Sequence, residues 1–255
     1  MEFVEFHNWV EKEMRLSLNS YKPTQLNRRI GSLMNRIGVS TLEEYMVLLK
    51  KDQNERERFL DYITINVTEF FRNPEFFDSL KRNLLAEVIP NRTSIKIWSA
   101  GSSMGCEAYS LAMMLEEMNI RTKYSIIATD IDKNILIKGK NGSYSFAEAK
   151  SLDKKYLDKY FIEDNDKYII DSKIKSKVIF KRHDLILDNY EKDFDLIVCR
   201  NVIIYFKDEV KQKIIEEFIK SLKLGGLLFV GATESINTYK ICGLEKLAPF
   251  IYKKV

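Results

Sequence analysis

Four short stretches of the chain concentrate residues able to do chemistry. Ala100-Gly101-Ser102-Ser103-Met104-Gly105 follows an apolar run and has a Gly-x-x-x-Gly spacing. Small residues in such a turn let the backbone approach a ligand at a helix N-terminus. The spacing is looser than the dinucleotide fingerprint, and the segment carries Glu107 but no Lys or Arg. A cationic ligand therefore fits it better than a pyrophosphate. Asp130 ends a second apolar run. A carboxylate there can accept both hydroxyls of a ribose, or it can cap a helix starting at Ile131. Arg200 and Asn201 end a third run, Asp195 to Cys199, at the edge where open α/β sheets bind ligands. The fourth stretch, Thr64 to Arg72, gathers Asn66, Thr68 and Arg72 around Phe70-Phe71. Spacing alone gives it no reaction: the aromatics read as core, the Asn and Thr as turn or cap residues.

What is scarce narrows the chemistry further. The only histidines are His7 and His183, and Cys106, Cys199 and Cys242 form no CxxC pair. A disulfide framework, a zinc site and a Ser-His-Asp machine are all disfavoured. A reaction carried out here does not rest on a histidine base.

The elements that must position these residues follow from length and pattern. At 255 residues, 45% hydrophobic and 31% charged, the chain is a globular protein of one large or two modest domains. Its apolar runs are too short to span a bilayer, and Glu2 and Glu5 follow Met1 where a leader would be basic. A cytoplasmic location is expected. The first 88 residues read as helices, with Phe3, Phe6, Val10 and Met14, then Leu26, Ile30, Leu33 and Ile37, at helical spacing. Helices are also expected over Asn54–Ile63 and from Pro74 toward Val88. Past a boundary at Val88 to Thr93 the pattern alternates. Strands at Ser94–Gly101 (ending in a turn), Tyr124–Asp130, Phe194–Asn201 and Leu227–Ala232 interleave with helices at Cys106–Met118, Ile131–Lys140 and Asp208–Leu222. That order predicts an α/β, doubly wound parallel sheet over 89–255. Residues 161–180 break the alternation, with β-branched residues around a turn at Asn165-Asp166, and predict a small antiparallel β insert.

The net charge is only +4, but its distribution is uneven. No acid occurs between Met14 and Leu42, while Arg15, Lys22, Arg28, Arg29 and Arg36 do. Such a stretch suits an acidic partner, or is a solvated face. Arg29 and Arg36 lie seven apart, two helical turns, and so share a face.

Taken together, the motifs resemble the chemotaxis receptor methyltransferases, the CheR family. Asn66-Val-Thr68-Glu-Phe-Phe-Arg72 is similar to that family's N-x-T-x-F-F-R element. Trp98-Ser-Ala-Gly101-Ser-Ser-Met-Gly105-Cys-Glu107-Ala-Tyr109-Ser110 resembles its W-S-A-G-C-S-T-G-E-E-P-Y-S motif. Cys199-Arg200-Asn201-Val-Ile-Ile-Tyr205-Phe206 resembles C-R-N-V-x-I-Y-F, and Gly231-Ala-Thr-Glu234 its late G-H-x-E turn. The order holds along essentially the whole chain.

The resemblance implies a small all-helical N-terminal domain and a Rossmann-like class I methyltransferase domain. It implies S-adenosylmethionine as cofactor, S-adenosylhomocysteine as product, and no metal. Gly101 would carry the cofactor turn, Asp130 the ribose, and Glu107 the methionine end. Asn66, Thr68 and Arg72 would close the site from the linker, and Asp184 and Leu185 would flank the adenine. Arg200 and Asn201 would line the pocket, with Tyr205 and Arg200 orienting the accepting side chain. The acceptor would be glutamate on the helical bundle of a chemotaxis receptor, met by Arg28, Arg29 and Arg36. No nucleic acid partner or direct membrane insertion is implied, and a monomer is expected. Ser102, Met104, Cys106, Ala108 and Ala232 depart from the family's usual Cys, Thr, Glu, Pro and His. Those changes imply looser cofactor binding but leave the named site residues in place. The insert lacks a Gly-rich hairpin loop, which leans toward recognition without a receptor tether. Two other readings use the same cofactor residues: a methyltransferase acting on nucleic acid, and a non-catalytic module that binds S-adenosylmethionine and signals. Against the first stand a pI of only about 8.7 and the lack of an aromatic-interleaved basic groove.

Overall fold

The computed structural model describes residues 1–238, 240 and 242–255. Four helices open the chain: α1 Phe3–Met14, α2 Pro23–Arg36, α3 Leu42–Lys51 and α4 Gln53–Thr64. Each start has a local cause. Pro23 sets the first turn of α2, Thr41 and Glu44 form a capping box on α3, and the Asp52 carboxylate accepts from Asn54 and Glu55 at the head of α4. The apolar stripes of these helices meet in one cluster. There Phe6 stacks on Tyr45 at 6.0 Å and meets Phe59 edge-on at 6.1 Å.

Helix α5, Pro74–Asn83, runs on through Leu84–Val88 and Ile89–Asn91 toward the sheet. The rest of the chain is β1 Ser94–Ala100, α6 Cys106–Glu117, β2 Lys123–Asp130, α7 Lys133–Asn141, β3 Ser143–Ser145, α8 Lys154–Tyr160, β4 Phe161–Asp164, β5 Lys167–Ile170, α9 Ser172–Lys175, β6 Val178–Arg182, β7 Phe194–Cys199, α10 Asp208–Ser221, β8 Leu222–Val230, β9 Leu244–Ala248 and β10 Ile251–Lys254. Seven strands form one sheet in the order β6-β2-β1-β7-β8-β10-β9. Strands β6, β2, β1, β7 and β8 pair in parallel, and β10 is antiparallel to both β8 and β9. From β1 the chain first steps outward to β2 and β6, then crosses to β7 on the other side. That reversal opens a crevice at the carboxyl ends of β1 and β7, where open α/β sheets bind ligands.

The doubly wound sheet is as expected, but four details differ. Phe77, Leu80, Leu84 and Val88 share one core cluster with Ile97 and Phe229 of the sheet, so residues 88–93 do not separate two cores. We propose that the two units join at Ile65 instead. The antiparallel insert is the three-stranded sheet β3-β5-β4, within 143–170 rather than 161–180. Val178–Arg182 cannot belong to it because its backbone extends the main sheet beside β2. Asp132, not Asp130, caps α7 by accepting from Asn134 and Ile135. Strands β9 and β10 had no counterpart in the sequence reading.

The edge of the sheet opposite the crevice carries its own clasp. Fully buried Asp195 accepts from Arg92 Nε at 2.7 Å, Lys96 N at 2.9 Å and Lys223 Nζ at 2.8 Å. Asp195→Asn is expected to lower stability by about 2–3 kcal/mol, the scale of hydrogen bonds to a charged group. Cofactor affinity should stay unchanged, because the clasp lies at the far edge. Urea unfolding alongside a binding titration checks both.

Candidate active site

The crevice is built from the carboxyl ends of the parallel strands, the linker 65–73 and the turn after β7. Asn66, Thr68, Arg72, Gly101, Glu107, Asp130, Asp184, Leu185, Arg200, Asn201 and Tyr205 all line it.

The turn after β1 shows why its glycines are needed. Gly101 has φ 74°, and a Cβ there would lie 2.4 Å from Val202. Gly105 has φ 87°, and its Cβ would meet the Phe180 ring at 2.6 Å. The amides of Gly101 and Ser102 both donate to the Thr129 carbonyl at 2.8 Å, folding the turn over the end of β2. Ser103 N in turn donates to Asp130 Oδ2 at 2.8 Å, and Asp132 N to Oδ1 at 3.1 Å. These amides favour the carboxylate, but burial outweighs them and pushes the Asp130 pKa up to about 6.

Arg200 and Glu107 form the floor. The Arg200 side chain is only 2% exposed, and its NH1 lies 3.7 Å from Glu107 Oε2. Its NH2 donates to the Arg72 carbonyl at 2.9 Å and to Asn73 Oδ1 at 3.0 Å. The guanidinium also lies 4.8 Å from the Phe229 ring centre and 5.5 Å from that of Phe77. Glu107 Oε1 accepts from Ser99 Oγ at 2.9 Å, and burial raises the Glu107 pKa against the pull of Arg200. Arg200 is thus committed to the linker and to Glu107. Its NH2 is held by the linker, NH1 faces Glu107 and Nε is buried without a hydrogen bond, so Arg200 braces the floor of the cleft that it lines.

The linker is fastened at several points. Asn66 Nδ2 donates to Asp132 at 2.8 Å and Asp61 at 3.0 Å, joining α4 to the turn after β2. Phe70 packs edge-on against Tyr144 and Phe161, while Phe71 stacks on Tyr156 with ring centres 4.4 Å apart. Ile65, Phe71 and Asn73 all have positive φ, uncommon for non-glycine residues and most so for β-branched Ile65. Asp184 Oδ1 accepts from Ile186 and Leu187, leaving Oδ2 buried without a hydrogen bond.

Tyr21 is a wall of the cleft that sequence reasoning missed. Its segment pairs with the one carrying Tyr205. Lys22 N donates to the Tyr205 carbonyl and Lys207 N to that of Ser20, both at 2.9 Å, and the Tyr21 ring meets Phe206 at 4.8 Å. Burial, then the charges of Asp184 and Asp130, raise the Tyr21 pKa. No local signal marks Tyr21, which sits in a loop of the other unit. His183 was missed as well, and Ile65 and Ser103, which lie inside stretches marked in the sequence, were not named as site residues.

The basic residues lie apart from the cleft but are not remote from it. Arg29 and Arg36 both stand over the Tyr62 ring, at 4.5 and 5.1 Å, so the shared face holds; Arg28 is exposed beside them. Arg29 also donates to the Tyr62 carbonyl. Lys22, Gln25, Arg29, Ile63, Ile65 and Tyr205 line a small hollow that shares Ile63, Ile65 and Tyr205 with the cleft.

Comparison with known proteins decides the family. A profile described as CheR methyltransferase, SAM binding domain, matches residues 66–246, and one described as CheR methyltransferase, all-alpha domain, matches residues 1–64. The chain belongs to the CheR methyltransferase family. A chemotaxis protein methyltransferase of Listeria monocytogenes is 39% identical over 99% of this chain and 97% of its own. Chemotaxis protein methyltransferase 1 of Pseudomonas aeruginosa is 33% identical over 92% of this chain and 90% of its own. A solved structure, PKMT2 from Rickettsia typhi with AdoHcy, is 23% identical over 60% of this chain and 24% of that one, at a TM-score of 0.38, too distant to add to the argument. The two profiles meet beside Ile65, where the linker begins.

The residues of this CheR cleft suit S-adenosylmethionine, a cation carrying a ribose and an adenine. Carboxylates line it at Glu107, Asp130 and Asp184; Asp184 Oδ2 is buried without a hydrogen bond, with Arg182 NH2 3.8 Å away. No cluster of three His, Cys, Asp or Glu that could hold a metal ion occurs among the described residues. No helix among them is long and apolar enough to cross a membrane.

Two outcomes follow. A ribose binds the ionised form of Asp130 best, so affinity for S-adenosylhomocysteine should fall as pH drops through about 6 and level off above it. Glu107 is raised as well, so the Asp130→Asn variant, weaker but flatter from pH 5 to 7, identifies the group; titration calorimetry across that range checks it. Arg200→Ala should destabilise the fold by about 3 kcal/mol, the scale for a broken buried pair. In a chain of this size that is roughly 6–12 °C in Tm by calorimetry.

Proposed function

We propose that this enzyme transfers the methyl group of S-adenosylmethionine to glutamate side chains of chemotaxis receptors in the cytoplasm, giving glutamate methyl esters. The observation that carries the reading is that Tyr21, Ile63, Ile65 and Tyr205 line both the cleft and a small hollow that also contains Lys22 and Arg29. A cofactor site alone would suit any methyltransferase; Lys22 and Arg29 beside it add cations for an acidic helix.

The cofactor, when bound, supplies an electrophilic methyl group on a sulfonium. The chain's own residues do the rest. Asp130 takes the ribose hydroxyls, and Asp184 with Leu185 holds the adenine. Glu107 and Arg72, with Asn66 and Thr68 closing the linker, hold the methionine end. Arg200 acts from below by fixing Glu107 and the linker. Asn201 and Tyr205 flank the mouth, where the accepting carboxylate would enter. That carboxylate, with a pKa near ~4.3 in water, is already ionised at neutral pH, so no general base is required. The new bond joins a carboxylate oxygen to the methyl carbon as the carbon–sulfur bond breaks, and no proton moves. Catalysis is then alignment, together with water exclusion by the linker and Tyr21.

Radiolabelled S-adenosylmethionine incubated with a receptor cytoplasmic fragment tests the reading, with label released by mild base as the readout. Label on nucleic acid, or binding without transfer, would replace it by one of the other readings. Tyr205→Phe should lower kcat by about 10-fold, a positioning effect, with S-adenosylhomocysteine affinity held. Receptor-fragment binding should weaken as salt rises, and Arg28→Ala/Arg36→Ala should flatten that dependence; pull-downs at graded ionic strength check it.

A further inference from the structure

We infer that Glu234 is the positioning residue for the turn that carries Asn201 and Tyr205. Glu234 lies outside the cleft, at the tight turn after β8, and is 5% exposed. Its Oε2 accepts from Asn201 N at 2.6 Å and Gly231 N at 2.9 Å. Its Oε1 accepts from Val202 N at 2.9 Å and Ile204 N at 3.2 Å. It forms no ion pair among the described residues. The compensation for this buried carboxylate therefore comes from backbone amides, three of them from the stretch between β7 and Tyr205.

Both sides of the contact are shaped for it. Asn201 sits at φ 60°, which turns its amide and that of Val202 toward the same carboxylate. A Cβ at Gly231 would stand 2.3 Å from Glu234 Oε2 and 3.0 Å from Asn201 N, so only glycine lets the two turns close. Glu234 touches no cleft surface; it fixes where Asn201 lines the cleft and where Tyr205 stands at the mouth. Three consecutive features of the late motif, Gly231, the turn and Glu234, thereby serve the segment Arg200 to Tyr205, some thirty residues earlier in the chain.

The test is Glu234→Gln in the full chain. The amide keeps the size but replaces one acceptor oxygen by a donor, so two of the four N–H groups face NH2. Hydrogen exchange of the amides of residues 201–204 should quicken by about 10-fold, with the β7 and β8 ladder unchanged. The kcat for methyl transfer should fall by about 10-fold or more at a retained Tm. Gly231→Ala, which displaces the carboxylate without altering it, should give the same pair of changes and serves if Glu234→Gln does not fold. Unchanged exchange at 201–204 overturns the proposal. So does faster exchange with unchanged kcat, which would make the contact merely structural. The kcat arm rests on the proposed methyl transfer. If the wild type transfers no methyl group, that reading fails, and the S-adenosylhomocysteine affinity of the variant, sensitive to Asn201, replaces kcat beside the exchange data.

Discussion

Much of the site depends on one buried guanidinium. Arg200 extends from the end of β7 and reaches the Arg72 carbonyl and the Asn73 side chain in the linker, and Glu107 at the head of α6. Those three elements come from distant parts of the chain and have no common backbone ladder. A planar fork with five donors can hold all of them at once, while the faces of Phe77 and Phe229 cover it. The linker is where the helical unit meets the sheet unit. Fixing it fixes how Ile65, Asn66 and Thr68 close one side of the cleft.

Around that strut the cleft is acidic in the right places. Glu107, Asp130 and Asp184 are all buried or half-buried, where a carboxylate is costly without compensating charge or donors. Burial raises the pKa of Glu107 and of Asp130, and both shifts mark sites that gain from meeting a cation or hydroxyl donors. A neutral product offers less than a sulfonium does, so the same arrangement that binds substrate should let product go more readily. The neighbouring cysteine does not share in the chemistry: burial holds the Cys106 thiol up, and it stays protonated.

The fold was legible wherever a period or a strand-turn-helix rhythm carried it. The helical stripes of α1 and α2 and the strands β1, β2 and β7 announce themselves by pattern. The β9–β10 pair does not, because short edge strands carry little alternation. From pattern alone α5 reads as one more helix of the N-terminal set; only packing shows that Phe77 and Leu80 share a core with the sheet. The site divides the same way. Gly101, Asp130 and Arg200 sit at strand ends and show a physical reason in sequence. The placing of Asn66, Thr68 and Tyr205 came from motif resemblance alone. Tyr21 was invisible because its role arises from a backbone bridge to residues 205–207, nearly two hundred positions away. Arg200 shows what a motif leaves out: it marks the residue, but only the bonds to Arg72 and Asn73 show that the residue also braces the linker.

The central claim is that this cleft holds S-adenosylmethionine through Asp130. Isothermal titration of the wild type and of Asp130→Ala with S-adenosylmethionine and S-adenosylhomocysteine tests it most directly. The account predicts saturable binding of both by the wild type and a loss of at least about 10-fold in affinity in the variant, roughly 1.4 kcal/mol for the lost ribose contacts. Equal affinity in the variant, or no binding by the wild type, would contradict it.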